Sequence, residues 1–136
     1  MYSSYRVREL MRKPVTALPG ESVRAVVRRM YENDSSSVVV VDDSGRPVGI
    51  FTERDLVRVV AKGVDLDSTS IGEVMTPNPI TVRDEDYIAI ALQRMIENRI
   101  RNLPVVDREG NLVGLVTARD VTRALKLYKE EVGELE

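Results

Sequence analysis

The sequence predicts a mixed α/β (α+β) fold in which two copies of one β-α-β-β-α unit pack sheet to sheet around a pseudo-two-fold axis. When the chain is shifted by 65 residues, residues 16–58 align with 81–123 without a gap, and 15 of the 43 aligned pairs are identical. Each copy also carries the same succession of apolar patterns. A unit of about 60 residues buries little apolar surface alone, so we expect the two copies to share a core.

The first half of each copy is predicted to be a short strand followed by an amphipathic helix. The strand falls around Val15–Leu18 in the first copy and around Ile80–Val82 in the second. The helix is predicted from apolar residues spaced three and four positions apart, which places them on one helical face. In the two copies these residues are Val23, Val26, Val27 and Met30, and Ile88, Ala91, Leu92, Met95 and Ile96.

The second half of each copy is predicted to be a β-hairpin followed by another helix. In the first copy, the apolar runs Val38–Val41 and Val48–Phe51 flank a D-x-x-G turn, which is typical of an antiparallel hairpin. The next helix should begin near Thr52, with Leu56, Val59 and Val60 on its apolar side. The second copy repeats this pattern at Leu103–Val106, Val113–Val116 and Thr117.

The connector between the copies is predicted at residues 61–70, which are polar and contain glycine. We therefore assign residues 1–65 to the first repeat with an N-terminal helix and the connector. Residues 66–129 form the second repeat, and residues 130–136 form an acidic C-terminal tail that we expect to fray. Ser70 and Glu73 have the spacing of a capping box, which predicts a short helix leading into the second copy.

Composition narrows the classes of function. The chain has no histidine and no cysteine, which excludes disulfides, thiol nucleophiles, a histidine general base and zinc sites built on these residues. The net charge of −2 provides no overall drive to bind nucleic acid. No apolar stretch approaches the roughly 18–20 residues that cross a bilayer, and the start lacks the apolar core of a signal peptide. We expect a cytoplasmic protein that binds neither nucleic acid nor membrane.

Two clusters of paired acids could suggest catalysis. Asp42-Asp43 falls in the predicted hairpin turn, and Asp84-Glu85-Asp86 falls at a predicted helix start. Acidic residues are favoured at both kinds of position for local structural reasons. We therefore predict that the protein is not an enzyme and has no catalytic or metal-ligating residues.

The most informative motif is a threonine followed three residues later by an aspartate, which occurs as Thr52 and Asp55 in the first copy. One interpretation is a capping box. Three observations favour a ligand site instead: aspartate is shorter than the Glu or Gln that such boxes prefer, Arg54 opposes the helix dipole, and Gly49 lets another group approach the strand. A phosphate at this helix end would be held by free N–H groups and arginine. The second copy repeats the motif as Gly114, Thr117, Arg119 and Asp120.

These residues, taken with two other segments, resemble the CBS domain, and the tandem pair resembles a Bateman module. The resemblance covers the chain from about Val7 to Leu127. The segments that carry it are Val74-Met75-Thr76-Pro77-Asn78-Pro79, Arg101-Asn102-Leu103-Pro104-Val105-Val106-Asp107 and the two G-h-h-T-x-R-D motifs, where h is a hydrophobic residue. The first copy departs from the pattern, because Ser36-Ser37-Val38-Val39 replaces Arg101-Asn102-Leu103-Pro104.

The resemblance implies a regulatory module that binds an adenine nucleotide (AMP, ADP or ATP) in two clefts between the copies, with no separate cofactor. It also implies that threonine contacts phosphate and that aspartate contacts ribose. One cleft would join Thr52, Arg54 and Asp55 to Met75, Asn78, Ile80, Ile100 and Arg101. The other cleft would join Thr117, Arg119 and Asp120 to Met11, Lys13, Val15, Ser35 and Ser36.

Apolar residues on both helices of each copy, together with the resemblance, predict a homodimer formed by helix packing. An unidentified regulated protein is a further expected partner. Two alternatives remain open at this stage: a module that dimerises or docks on a partner without a physiological nucleotide, and a binder of another adenosine compound such as S-adenosylmethionine.

Overall fold

A computed structural model describes residues 5–133, except for the side chains of residues 128 and 131–133. The two copies contain the same elements in the same order. The first copy comprises β1 (Thr16–Ala17), α2 (Val23–Glu32), β2 (Ser37–Val41), β3 (Pro47–Thr52) and α3 (Glu53–Ala61); the second comprises β5 (Val82–Arg83), α5 (Ile88–Asn98), β6 (Asn102–Val106), β7 (Leu112–Thr117) and α6 (Ala118–Gly133). Short helices precede the copies at α1 (Val7–Leu10) and α4 (Ile71–Val74), and β4 (Thr76–Pro77) follows α4. The predicted mixed α/β fold and β-α-β-β-α order are confirmed.

The three strands of each copy pair in the same way, in a sheet of four strands in the first unit and of three in the second. In the first, β1 pairs with β2 in parallel, and β2 and β3 form an antiparallel hairpin to which β4 adds an antiparallel edge; the order is β1-β2-β3-β4. In the second, β5 pairs with β6 in parallel and β6 pairs with β7 antiparallel. Both hairpins have a register irregularity at equivalent positions, Val40/Val41 and Val105/Val106. The first strands are shorter than predicted, and β5 begins at Val82 rather than Ile80.

The hairpin turns explain the repeated D-x-x-G sequence. Asp42 Oδ1 accepts hydrogen bonds from the backbone N–H groups of Ser44 and Arg46, and Gly45 has a φ of 82°. This left-handed conformation strongly favours glycine, because a side chain would clash with the backbone. Gly110 has a φ of 89° in the equivalent turn.

The chain divides into two compact units that do not follow the sequence repeats at their ends. The first unit is Pro14–Pro79, and the second joins the residues up to Lys13 to those from Ile80 onward. The segment that precedes each copy therefore belongs to the unit of the other copy: α4 and β4 join the first unit, and α1 joins the second. The repeat boundaries at 65/66 describe the duplicated sequence and stay a prediction.

Each unit has its own apolar core beneath the predicted helix faces. Val23, Val26 and Met30 of α2 are buried in the first unit. Ile88, Ala91 and Met95 of α5 are buried in the second. Burying one such side chain contributes about 1.5–3 kcal/mol relative to leaving it exposed. The helical spacing in each copy thus determines which face covers the sheet.

The last helix reaches further than the sequence indicated. Because α6 extends to Gly133, the beginning of the predicted acidic tail is helical, while residues 134–136 lie outside the described part of the chain. Among the described residues, no helix has the length and apolar character needed to span a membrane.

Candidate functional site

The Thr52–Asp55 motif lies where β3 ends and α3 begins. The Thr52 Oγ1 accepts a hydrogen bond from the Asp55 backbone N–H at 3.3 Å, and Asp55 Oδ2 accepts one from the Thr52 N–H at 2.9 Å. This reciprocal pair is a capping box. The shorter side chain of aspartate, which we counted against a capping box, does reach back to the Thr52 N–H. The extended backbone of Thr52, with φ −118° and ψ 170°, directs its N–H toward the first turn of the helix, within reach of the shorter side chain.

The second copy forms the same box where β7 meets α6. Asp120 Oδ2 accepts hydrogen bonds from the Thr117 N–H at 2.8 Å and from the Thr117 hydroxyl at 2.9 Å. The Asp120 N–H donates in return to Thr117 Oγ1 at 3.2 Å. Capping therefore occupies Oδ2 of each aspartate, while Oδ1 faces other partners. Capping thus does not use Oδ1 of either aspartate.

The partners of Oδ1 differ between the copies. Asp55 Oδ1 has two contacts at 3.4 Å, from the guanidinium of Arg58 and from the hydroxyl of Thr76. These are longer than usual for hydrogen bonds. Asp120 Oδ1 instead accepts a hydrogen bond from Arg12 Nη2 at 2.5 Å, and Arg12 Nε donates to Oδ2 at 3.2 Å. The Asp120 side chain is only 2% exposed, whereas that of Arg12 is 49% exposed.

Arg12 is a site residue that sequence reasoning missed. Its backbone pairs with Leu115 of β7 through two hydrogen bonds of 2.9 Å, which brings the guanidinium to Asp120. The equivalent position in the first unit is Thr76, whose strand β4 pairs with β3 at Ile50. The sequence does contain a sign of this equivalence, because Met11 and Met75 follow the similar segments VREL and IGEV. The two methionines, however, lie 64 rather than 65 residues apart. The extra residue hid the alignment of Arg12 with Thr76.

Arg12 and Thr117 control the ionisation of Asp120. Burial raises the pKa of this carboxyl and is the largest single effect, but hydrogen bonds from Arg12 and Thr117 outweigh it. The pKa of Asp120 consequently lies below its ordinary value. A buried carboxylate that receives several donors stays charged because those donors replace water.

The glycine that precedes each motif makes room for a methionine of the same unit. A Cβ on Gly49 would lie 2.2 Å from the sulfur of Met75, and a Cβ on Gly114 would lie 2.5 Å from that of Met11. These distances are far below van der Waals contact, so glycine permits the close approach. The sequence had indicated such an approach at Gly49 and Gly114, and the approaching group in this structure is the chain's own methionine.

The other predicted site residues of the first cleft divide between the two units. Arg54 is exposed in the first turn of α3, and Asn78, with φ 50°, donates its backbone N–H to the Val48 carbonyl. Both belong to the first unit with Thr52 and Asp55. Ile80, Ile100 and Arg101 belong to the second unit, so their pairing with Asp55 stays a prediction.

The second cleft divides in the same way. Lys13 and Arg119 are exposed and belong to the second unit with Met11, Thr117 and Asp120. Val15, Ser35 and Ser36 belong to the first unit, so their pairing with Asp120 also stays a prediction. Within its own unit, the Ser36 carbonyl accepts from the Glu53 N–H at the start of α3. The Arg101 carbonyl accepts from Ala118 at the start of α6 in the same manner.

Comparison with known proteins identifies the family of this chain. The CBS domain family model matches residues 7–62 and 71–127, and the chain therefore belongs to the CBS domain family. It is 38% identical over 120 residues to the uncharacterized protein MK0525 of Methanopyrus kandleri, covering 87% of this chain. The chain spans 61% of the length of that relative.

Two solved structures of CBS proteins share the fold. One is the CBS domain protein PAE2072 from Pyrobaculum aerophilum complexed with AMP, which is 34% identical with a TM-score of 0.81, covering 85% of this chain and 89% of that chain. The other is the CBS domain pair of protein MJ0100 in complex with 5′-methylthioadenosine and S-adenosyl-L-methionine, which is 28% identical with a TM-score of 0.84. That match covers 92% of this chain and 98% of the other.

Proposed function

We propose that the protein is a non-enzymatic regulatory module that binds an adenine nucleotide, namely AMP, ADP or ATP. The observation that carries this proposal is the repeated threonine-aspartate cap, in which Oδ2 holds the helix and Oδ1 points elsewhere. At Asp55 this second oxygen has only two long contacts. The AMP complex of the Pyrobaculum aerophilum relative supports an adenine nucleotide as the ligand.

The chemistry of each group suits one part of a nucleotide. A carboxylate oxygen accepts hydrogen bonds from the two hydroxyls of a ribose. The exposed Arg54, in the first turn of α3, is suited to a phosphate, where its charge would complement the anion at the helix N-terminus. The adenine base would then contact residues of the other copy, among which Ile80, Ile100 and Arg101 are our candidates.

The first test is whether AMP binds. At an AMP concentration about 100 times its Kd, the free energy of unfolding should rise by about 2.7 kcal/mol, since the ligand binds only the folded state. Thermal unfolding with AMP and with GMP at equal concentration measures this, and GMP should give a smaller shift. No shift with AMP, ADP or ATP would contradict nucleotide binding.

Two further arms of the same experiment address the alternatives. A shift with S-adenosylmethionine or 5′-methylthioadenosine that exceeds the shift with AMP would favour the ligand class found in MJ0100. No shift with any adenosine compound, together with self-association of the protein, would favour a docking module that needs no nucleotide.

We also propose that the protein is a homodimer. In the second unit, α5 and α6 border an apolar cavity of about 240 Å³ lined by Leu92, Met95, Ile96, Ile100, Ala118, Val121, Thr122 and Leu125. Ile96 is 67% exposed there, and the equivalent Tyr31 of the first copy is 87% exposed. Large apolar side chains on an outer helical face favour contact with another protein surface.

Light scattering should therefore give twice the chain mass of 15.3 kDa. Ile96→Asp should shift the protein toward the monomer, because it places a charge in the apolar contact. The matched control is Val113→Asp, at an exposed strand position, which should leave the mass unchanged. A wild-type protein that stays monomeric at micromolar concentration would argue against the dimer.

A further inference from the structure

We infer that the two threonine-aspartate sites are functionally unequal: Arg12 occupies the Asp120 site from within the chain, so the protein binds one nucleotide, at Asp55. This inference rests on the proposed nucleotide-binding function and specifies its stoichiometry and location. The two sites have the same fold, motif and capping hydrogen bonds. They differ in the residue that lies beside the aspartate at the edge of the sheet, which is Arg12 at Asp120 and Thr76 at Asp55.

The carboxylate of Asp120 is buried and held by a short, charge-assisted hydrogen bond at Oδ1. It accepts from the Thr117 N–H, the Thr117 hydroxyl and two nitrogens of Arg12. Three of these donors share Oδ2, and Arg12 Nη2 binds Oδ1 at 2.5 Å. With the side chain only 2% exposed, a ribose would reach it only by displacing one of these donors.

The carboxylate of Asp55 also has four donors, but the two at Oδ1 are weaker than the Arg12 pair. Oδ2 accepts from the Thr52 N–H and hydroxyl at 2.9 and 3.2 Å, but the contacts at Oδ1 are both 3.4 Å long. The Asp55 side chain is 15% exposed. Hydroxyls of a ligand can replace these two long contacts at Oδ1 without breaking a strong ion pair.

Displacing Arg12 is unfavourable for two reasons. Two hydrogen bonds between a guanidinium and a carboxylate are charge-assisted and stronger than those from a neutral hydroxyl. The backbone of Arg12 is also fixed by its two hydrogen bonds to Leu115, so the side chain is held beside Asp120 by the sheet edge. A ribose would exchange a charged donor for neutral ones and leave a carboxylate poorly compensated.

The difference is therefore encoded at one pair of equivalent positions, Arg12 and Thr76. Giving each position the residue of the other should exchange the properties of the sites. Arg12→Thr should free Asp120 and create a second site. Thr76→Arg should bring a second guanidinium to Asp55, closer than that of Arg58 at 3.4 Å, and weaken AMP binding by about 10- to 150-fold, the range for a hydrogen bond to a charged group.

Isothermal titration calorimetry with AMP on the full chain measures both effects. Wild type should bind one AMP per chain, and Asp55→Asn should remove that binding. Arg12→Thr should bind two, and adding Asp120→Asn to it should remove the second.

The matched control is Arg8→Thr, which removes an exposed positive charge from α1 and should leave the stoichiometry at one. Thermal unfolding of each variant verifies that it is folded, and Thr76→Arg tests the inference independently if Arg12→Thr does not fold.

Three results would overturn the inference while leaving nucleotide binding intact: wild type binding two AMP per chain, one AMP whose binding survives Asp55→Asn, or a folded Arg12→Thr protein that still binds one. Absence of binding of AMP, ADP and ATP alike, in wild type and in Arg12→Thr, would overturn the proposed function, and the inference with it.

Discussion

Replacing Phe51 with alanine should lower the free energy of unfolding by about 3–5 kcal/mol, the range for deleting a buried aromatic side chain. Phe51 is fully buried in the core of the first unit. It is the residue before Thr52, so its ring anchors the end of β3 at the point where the capping box begins. The loss combines the free energy of transferring the ring out of water with the cost of the cavity that the ring leaves. Chemical denaturation followed by circular dichroism measures it.

The control for Phe51→Ala is Val113→Ala, which truncates a strand residue that is 37% exposed and should cost less than about 1 kcal/mol. A loss below about 1 kcal/mol for Phe51→Ala would show that the first unit can close over the missing ring. It would also show that the start of α3 does not depend on this core contact.

Asp120→Ala should lower the free energy of unfolding by about 2–3 kcal/mol, while Asp55→Ala should cost about 1 kcal/mol. Both variants keep the threonine N-cap but lose the aspartate half of the capping box, an acidic group in the first helical turn that contributes up to about 1 kcal/mol. Asp120→Ala additionally loses two hydrogen bonds to the charged Arg12. Such bonds contribute about 1.5–3 kcal/mol, reduced here because Arg12 is half exposed and water can solvate it. Equal costs in the two variants, measured by urea denaturation, would mean that the Arg12 pair adds nothing to stability.

The pH dependence provides an independent measurement of the same pair. Because the pKa of Asp120 is lowered in the folded state, its stabilisation is present above the unfolded pKa of about 3.9 and is lost as pH falls through the folded pKa. The stability difference between wild type and Asp120→Asn should thus be constant above about pH 5 and shrink below about pH 4. A difference that persists unchanged at lower pH would show that ionised Asp120 is not its source.

Most of the local structure and half of the candidate site follow from the sequence. The 65-residue repeat, helical spacing and D-x-x-G turns are short-range patterns that predict β-α-β-β-α twice. Local geometry is enough for this, because helix faces, hairpin turns and caps depend on residues within a few positions of one another. Thr52, Asp55, Thr117 and Asp120 were identified in this way. Their function as helix caps is now visible in the hydrogen bonds, alongside the proposed contact with ribose.

Only the tertiary structure decided how the two sites differ. Arg12 is 108 residues from Asp120 along the chain, and no local pattern connects them. They meet because the segment before each copy pairs with the sheet of the other copy, which brings Arg12 to β7 and Thr76 to β3. Aspartate and threonine in the motif are the same in both copies, so the sequence alone predicts two equivalent sites. The difference arises from the edge pairing, which places Arg12 at 2.5 Å from Asp120 and Thr76 at 3.4 Å from Asp55, where Arg58 of α3 makes a second contact of 3.4 Å.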